Sequence, residues 1–353
     1  ATRIGLESLK ETEWLNHLGK FQPLPGSGGM QAPIAMRYHG HQFQTYNPDI
    51  GDGRGFLFAQ CREQATGKLL DLGTKGSGQT PFSRFGDGRL TLKGGVREVL
   101  AAELLEALGV NTSQALSLIE TGEELERHDE PSPTRSAVLV RLQHSHIRFG
   151  TFQRHAYERA PERIEALLDH CLTYYFPDLF GSVNGVPLKD KITAFLQRVT
   201  QNSAQLVAQW MSAGFVHGVL NTDNMVVTGQ SFDYGPYRFL PHFEPGFTAA
   251  YFDRSGLYAY GRQPDAVAWN LSRLAGCFMQ LGFDSESLAP TLAGFGPCFQ
   301  QTLAKQFYWR IGREQPEDQE EAEQLIASAF AAMRNTKMPP DHFFHLAATH
   351  EGT

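Results

Sequence analysis

One string of eight residues, His217-Gly218-Val219-Leu220-Asn221-Thr222-Asp223-Asn224, limits the possible fold more than any other feature, together with Asp233-Tyr234-Gly235 nine residues further on. Asn224 and Asp233 carry hard oxygen donors. A cation such as Mg²⁺ takes a few of these from protein and the rest from water and phosphates. For the two to act on one ion, the chain must fold back on itself between them, as a hairpin. The plainer alternative is that Asn224 and Asp233 only cap turns, as their residue types often do.

The string reads as a phosphotransferase catalytic loop that lacks its usual Asp. In such loops H-[RG]-D is followed five residues later by Asn: the Asp orients the attacking hydroxyl and the Asn holds metal. Here the Asp slot is Val219, which neither accepts a proton nor binds a cation, and a different carboxylate, Asp223, stands directly before the Asn. Asp233-Tyr234-Gly235 occupies the place of the metal-binding D-F-G. The metal ligands are present and the base has moved.

The remaining pattern supplies two unequal halves. Residues 1–54 are rich in Gly, Pro, Gln and His and read as loops and short elements. Phe56–Ala59 and Leu69–Leu72 are expected strands joined by a turn at Ala65-Thr66-Gly67-Lys68. Val96, Val99, Leu100, Leu104 and Leu108 recur at helical spacing and predict an amphipathic helix over 95–108, closed by Gly109. Ala115–Ile119 and Ala137–Leu142 are further strands. A long helix over Lys189–Ser212 carries Ile192, Phe195, Leu196, Val199, Leu206 and Trp210 on one face. Met225-Val226-Val227 reads as a short strand, Pro264–Leu281 and Leu288–Trp309 as helices, and Glu317–Met333 as a final one. Strands first and helices after predict an α+β protein with a two-lobed, protein-kinase-like plan: a strand-rich lobe over 1–145 and a helical lobe over 146–353.

Composition narrows the partners. A net charge of −7 argues against a broad nucleic-acid surface, and no apolar run approaches the ~18 residues of a membrane span. Cys61, Cys171, Cys277 and Cys298 are scattered without a C-x-x-C spacing, which suits free thiols in a reducing compartment. A soluble enzyme of the cytosol or of an organelle matrix is expected.

Further chemistry lies upstream. A kinase needs a strand lysine for the nucleotide phosphates and a helix glutamate to hold it, and Lys75 with Glu98 stand in that order. The competing reading is a surface ion pair worth at most ~1 kcal/mol. Arg54 in Gly51-Asp52-Gly53-Arg54, with Arg141 and Arg148, adds cations of the kind that grip phosphate. A nucleotidyl transferase must hold charge on leaving pyrophosphate, and an arginine-rich pocket suits that need. His39-x-His41 and His144-x-His146 have metal-pair spacing but no further ligands, and read as loop polarity.

Taken in order, several strings resemble the selenoprotein O family, also called YdiU, over most of the chain. They are Gly40-His41-Gln42-Phe43, Gly51-Asp52-Gly53-Arg54, Lys75-Gly76-Ser77-Gly78-Gln79-Thr80-Pro81-Phe82-Ser83-Arg84, Gly86-Asp87-Gly88-Arg89, Arg97-Glu98, Ile147-Arg148-Phe149-Gly150, His217 through Met225, and Asp233-Tyr234-Gly235-Pro236. The resemblance implies a kinase fold that binds ATP in a flipped orientation and transfers AMP to protein hydroxyls. By motif it implies nucleotide contacts from Gly51, Gly53, Arg54, Lys75, Asp87, Gly88, Arg141, Arg148 and Asp233. Asp223 would be the proton acceptor, Asn224 and Asp233 the ligands of Mg²⁺ or Mn²⁺, and Glu98 the partner of Lys75. Lys93-Gly94-Gly95 and Gln44-Thr45 depart from the family pattern. The redox C-x-x-U or C-x-x-C that ends many members does not occur in these residues, which leaves control through it an open question.

Three functions follow from this sequence: a protein adenylyltransferase with Ser, Thr or Tyr acceptors, a γ-phosphotransferase using Asp223 as base, or a nucleotide-binding scaffold without turnover. A small-molecule kinase of the aminoglycoside type would keep Asp where this chain has Val219.

Overall fold

Short apolar runs in the first part of the chain build an antiparallel sheet, described here from a computed structural model of residues 1–24, 32–128 and 130–349. Residues 25–31 of the irregular N-terminal stretch lie outside that description. Before the sheet come a short helix α1 (Glu11–Trp14), a π-helical turn at Leu15–Gly19, and a hairpin of β1 (Gly40–Gln42) and β2 (Thr45–Asn47). The hairpin apex places Phe43 and Gln44 at φ 49° and 64°. This left-handed region disfavours residues with a Cβ, so Gln44 sits where glycine would cost less.

The main sheet contains β3 (Leu57–Arg62), β4 (Leu69–Lys75), β5 (Leu90–Thr91), β6 (Gln114–Leu125) and β7 (Thr134–Gln143). Strand β7 lies at its centre: β4 pairs with its second half, β5 with residues 136–137, and β6 runs along its other edge. The β3–β4 turn falls at the expected residues, with Gly67 left-handed at φ 70°. Strand β6 runs beyond Ile119 because its partner β7 continues, although residues 121–124 are exposed and carry no apolar alternation.

Helix α2 (Leu92–Ala107) starts earlier than the apolar spacing indicated, because Thr91 caps it by accepting the Gly94 N–H at 3.1 Å. It also turns a different face inward. Gly95, Glu98, Ala101, Ala102 and Leu105 are buried, whereas Val96, Leu100 and Leu104 are exposed. Small residues let the helix approach β6 and β7 closely, and Glu98 must face the sheet to reach Lys75. That requirement overrides the larger side chains of the apolar stripe.

The rest of the chain is helical: α3 (Phe149–Tyr157), α4 (Pro161–Tyr174), α5 (Leu188–Ser212), α6 (Gln263–Gly276), α7 (Ser285–Leu292), α8 (Phe295–Arg310), α9 (Gln319–Thr336) and α10 (Pro340–Thr349). Helix α5 buries all six of its expected face residues and forms the axis of the main core. The expected helix 288–309 is two helices, because Gly294 and Pro297 interrupt it. Proline fits in the first turn of α8 but cannot continue a helix through that point. The expected helix 264–281 changes to a 3₁₀ turn at Cys277–Leu281. Met225–Val227 is not a strand: Val226 makes one antiparallel bridge with Arg148, and the ladder stops because Phe149 enters α3. The short pair β8 (Phe215–Val216) and β9 (Arg238–Phe239) brings the ends of the 217–237 segment together. The four cysteines are free, Cys171 and Cys277 buried and the other two half-buried. Among the described residues no helix is long and apolar enough to cross a membrane.

Candidate active site

A cleft of about 800 Å³ opens between the sheet and the helical part, and residues from both line it. The segment between β8 and β9 forms its floor. His217 is buried, and burial pushes its imidazole below its ordinary pKa, so the ring is neutral. Its Nε2 lies 3.2 Å from the Phe232 carbonyl, which only accepts, so this nitrogen carries the proton. That bond ties the 217–224 loop to the Asp233 turn. Asn224 Nδ2 then donates to Asp233 Oδ2 at 3.2 Å, which closes the expected hairpin.

Lys75 at the end of β4 reaches into the same place. Its Nζ pairs with Glu98 from α2 and donates to Asp233 Oδ1 at 2.5 Å. Lys75 and Glu98 are both buried, so the pair is no surface salt bridge. Arg141 on β7 places Nη1 3.7 Å from Glu98 Oε2, and Arg148 places Nη1 3.8 Å from Asp233 Oδ2. Burial opposes ionisation of Asp233, but Lys75, Arg148 and Arg141 outweigh it and hold the carboxyl well below its usual range. Asp233 has φ 63°, an uncommon conformation that Asp tolerates better than most residues and that recurs at functional sites.

Asp223 behaves in the opposite way. It is buried, its Oδ1 has no hydrogen-bond partner, and desolvation pushes its carboxyl up to about 6 against the opposing field of Arg148. Arg148 Nη1 donates to the Asp223 carbonyl at 2.6 Å. The roof over Asp223 comes from the β1–β2 hairpin. A Cβ on Gly40 would stand 2.9 Å from Asp223 Oδ1, the His41 N–H donates to Thr222 Oγ1 at 2.7 Å, and the Phe43 N–H donates to Asn221 Oδ1 at 3.0 Å.

Of the site residues expected from sequence, Gly51, Gly53, Arg54, Lys75, Asp87, Gly88, Arg141, Arg148, Asp223 and Asp233 all line this cleft. Glu98 stands behind Lys75, and Asn224 is reached through Asp233. Gly88 needs to be glycine: its φ is 72°, and a Cβ would fall 2.2 Å from the Gly78 carbonyl carbon. Asp87 is held by Arg127, which donates to it at 2.8 and 3.2 Å. Sequence reasoning missed Arg127, Tyr38 and Gln42 in the lining. Gln42 stands inside the Gly40-His41-Gln42-Phe43 string, whereas Tyr38 precedes it outside any motif and Arg127 lies in a β6–β7 connection with no pattern of its own.

The donor set fits a hard divalent cation. Asn224 Oδ1 is buried without a hydrogen-bond partner beside the Asp233 carboxylate, and an oxygen-seeking ion would satisfy it. The two H-x-H pairs are engaged elsewhere: His39 with Tyr46, His41 with Gln153, His144 with the Leu69 carbonyl and His146 with Asp71. Among the described residues no group of three or more His, Cys, Asp or Glu gathers to hold a metal.

Comparison with known proteins decides the family. The family model described as protein adenylyltransferase SelO matches residues 1–352. The chain belongs to the SelO family. Its relatives include proteins named protein nucleotidyltransferase YdiU. The one from Synechocystis sp. is 55% identical over 273 residues, which cover 77% of this chain and 55% of the relative. That from Synechococcus elongatus is 50% identical over 315 residues, 88% of this chain and 61% of the relative. That from Trichormus variabilis is 46% identical over 345 residues, 97% and 68% respectively. The chain thus spans just over half the length of the first of these SelO-family proteins.

Proposed function

We propose that this chain is a protein adenylyltransferase that moves AMP from ATP to a Ser, Thr or Tyr hydroxyl of a protein and releases pyrophosphate. The reading includes a two-lobed, protein-kinase-like fold with a nucleotide-binding lobe over 1–145 and a helical lobe over 146–353. The observation that carries it is the position of Asp223: a buried carboxylate with its pKa raised to about 6, next to a set of cations, in a loop whose usual base position is Val219. A base that titrates near neutrality is efficient at taking a proton as a bond forms. The names of the relatives, protein nucleotidyltransferases, point the same way.

In this scheme Asp223 accepts the proton of the acceptor hydroxyl as its oxygen attacks the α-phosphorus in line. The new O–P bond forms, the bond from the α-phosphorus to the oxygen bridging it to the β-phosphate breaks, and pyrophosphate leaves. Lys75, Arg141, Arg148 and Arg54 hold the phosphates and the charge that develops on the leaving group. Glu98 keeps Lys75 in position, and Asp87 with Gly88 binds the nucleotide at the outer turn. Asn224 and Asp233 would hold Mg²⁺ or Mn²⁺, which when bound neutralises phosphate charge. The test is the identity of the small product formed from ATP in the presence of an unfolded acceptor protein such as casein. Pyrophosphate supports adenylyl transfer, ADP would identify a γ-phosphotransferase, and neither product a scaffold.

A further inference from the structure

We propose that Tyr38, a residue with no assigned role, is a positioning residue that holds the Arg148 guanidinium in its phosphate-facing orientation. The inference rests on the nucleotide-binding reading above and extends it to a residue outside every motif. Arg148 is buried, yet its Nε has no hydrogen-bond partner, and its Nη1 is engaged only with the Asp223 carbonyl at 2.6 Å and the more distant Asp233 carboxylate at 3.8 Å. Hydrogen bonds alone therefore leave the plane of the guanidinium under-determined.

Two aromatic rings fix it. The Arg148 Cζ lies 4.3 Å from the centre of the Tyr38 ring and 4.8 Å from that of Phe232. A guanidinium is weakly hydrated and attracted to an aromatic face, most strongly where water is excluded. Tyr38 is 7% exposed and borders the cleft itself. Phe232 directly precedes Asp233, so its ring is placed by the same turn that presents the site carboxylate. Tyr38 comes from the segment leading into β1, which also roofs Asp223 through Gly40. One stretch of chain thus covers the Asp223 carboxylate and flanks the arginine that donates to the Asp223 main-chain carbonyl.

The proposal separates the ring of Tyr38 from its hydroxyl. Calorimetric titration of ATP into the intact chain, with KM and kcat measured alongside, compares wild type with Tyr38→Leu, Tyr38→Phe and Phe232→Leu. Loss of either ring is expected to weaken ATP binding roughly tenfold and to raise KM more than it lowers kcat, whereas Tyr38→Phe stays within about twofold of wild type. Wild-type affinity in Tyr38→Leu would overturn the proposal. So would a loss in Tyr38→Phe as large as that in Tyr38→Leu, because the hydroxyl would then be the acting group. If Tyr38→Leu does not fold, Phe232→Leu and Tyr38→Phe decide: wild-type affinity in the first or a tenfold loss in the second overturns the clamp. Binding is read without turnover. A wild-type chain that binds ATP but transfers no AMP would remove the transfer reading and leave the clamp to stand or fall on the affinities.

Discussion

At the scale of single residues, the fate of one carboxylate depends on what surrounds it. Asp223 and Asp233 share a cleft, but three cations hold Asp233 ionised, while burial raises Asp223 to about 6. The raised value has a stability consequence. An Asp near 3.8 when unfolded and near 6 when folded binds more protons in the native state between those values, so its contribution falls as pH rises through that window. Above pH 6 the buried charge costs on the order of 3 kcal/mol. Asp223→Asn is therefore expected to raise the thermal midpoint at pH 8 while cutting the transfer rate by ~10²–10⁴-fold with ATP affinity largely kept. In the wild type, kcat/KM should rise about tenfold per pH unit below pH 6 and level off above it. Differential scanning calorimetry and a pH–rate profile check both, and an Asn variant that is fast or less stable contradicts the assignment.

At the scale of elements, helix α2 shows what sequence spacing reveals and what it conceals. Its existence and its closing glycine are legible from the apolar repeat, but its inward face is not. The repeat follows Val96, Leu100 and Leu104, whereas packing follows Gly95, Ala101 and Ala102 because Glu98 has to meet Lys75. Leu100→Gln is accordingly expected to change stability by less than about 0.5 kcal/mol, and Ala102→Leu to cost ~1–3 kcal/mol by overpacking. Chemical denaturation of both variants measures this, and the reverse order would restore the apolar-repeat face. Helix α5 had no such conflict, since its six apolar face residues are all buried in the main core, and it folds as its spacing indicates. The Met225–Val227 run failed as a strand for a nonlocal reason, the start of α3 at Phe149, which no local pattern contains.

At the scale of the whole molecule, the cleft exists because the two parts of the chain are tied through charge. Lys75 on the sheet bonds to Asp233 on the floor at 2.5 Å, Arg148 stands next to the Asp233 carboxylate and donates to the Asp223 carbonyl, and the β1–β2 hairpin crosses from the N-terminal stretch to cover Asp223. The residues that carry this arrangement were mostly legible, because glycine-rich turns, a strand lysine and the altered loop each have a chemical signature. Tyr38 and Arg127 were not, since an aromatic ring next to an arginine and a salt bridge to a loop are visible only once distant segments meet. The central claim is that the displaced base serves the α-phosphorus. It is tested most directly by incubating the chain and an acceptor protein with ATP labelled in parallel at the α and the γ position. The account predicts α-label on protein, no γ-label, and loss of incorporation in Asp233→Ala; γ-label on protein without α-label would contradict it.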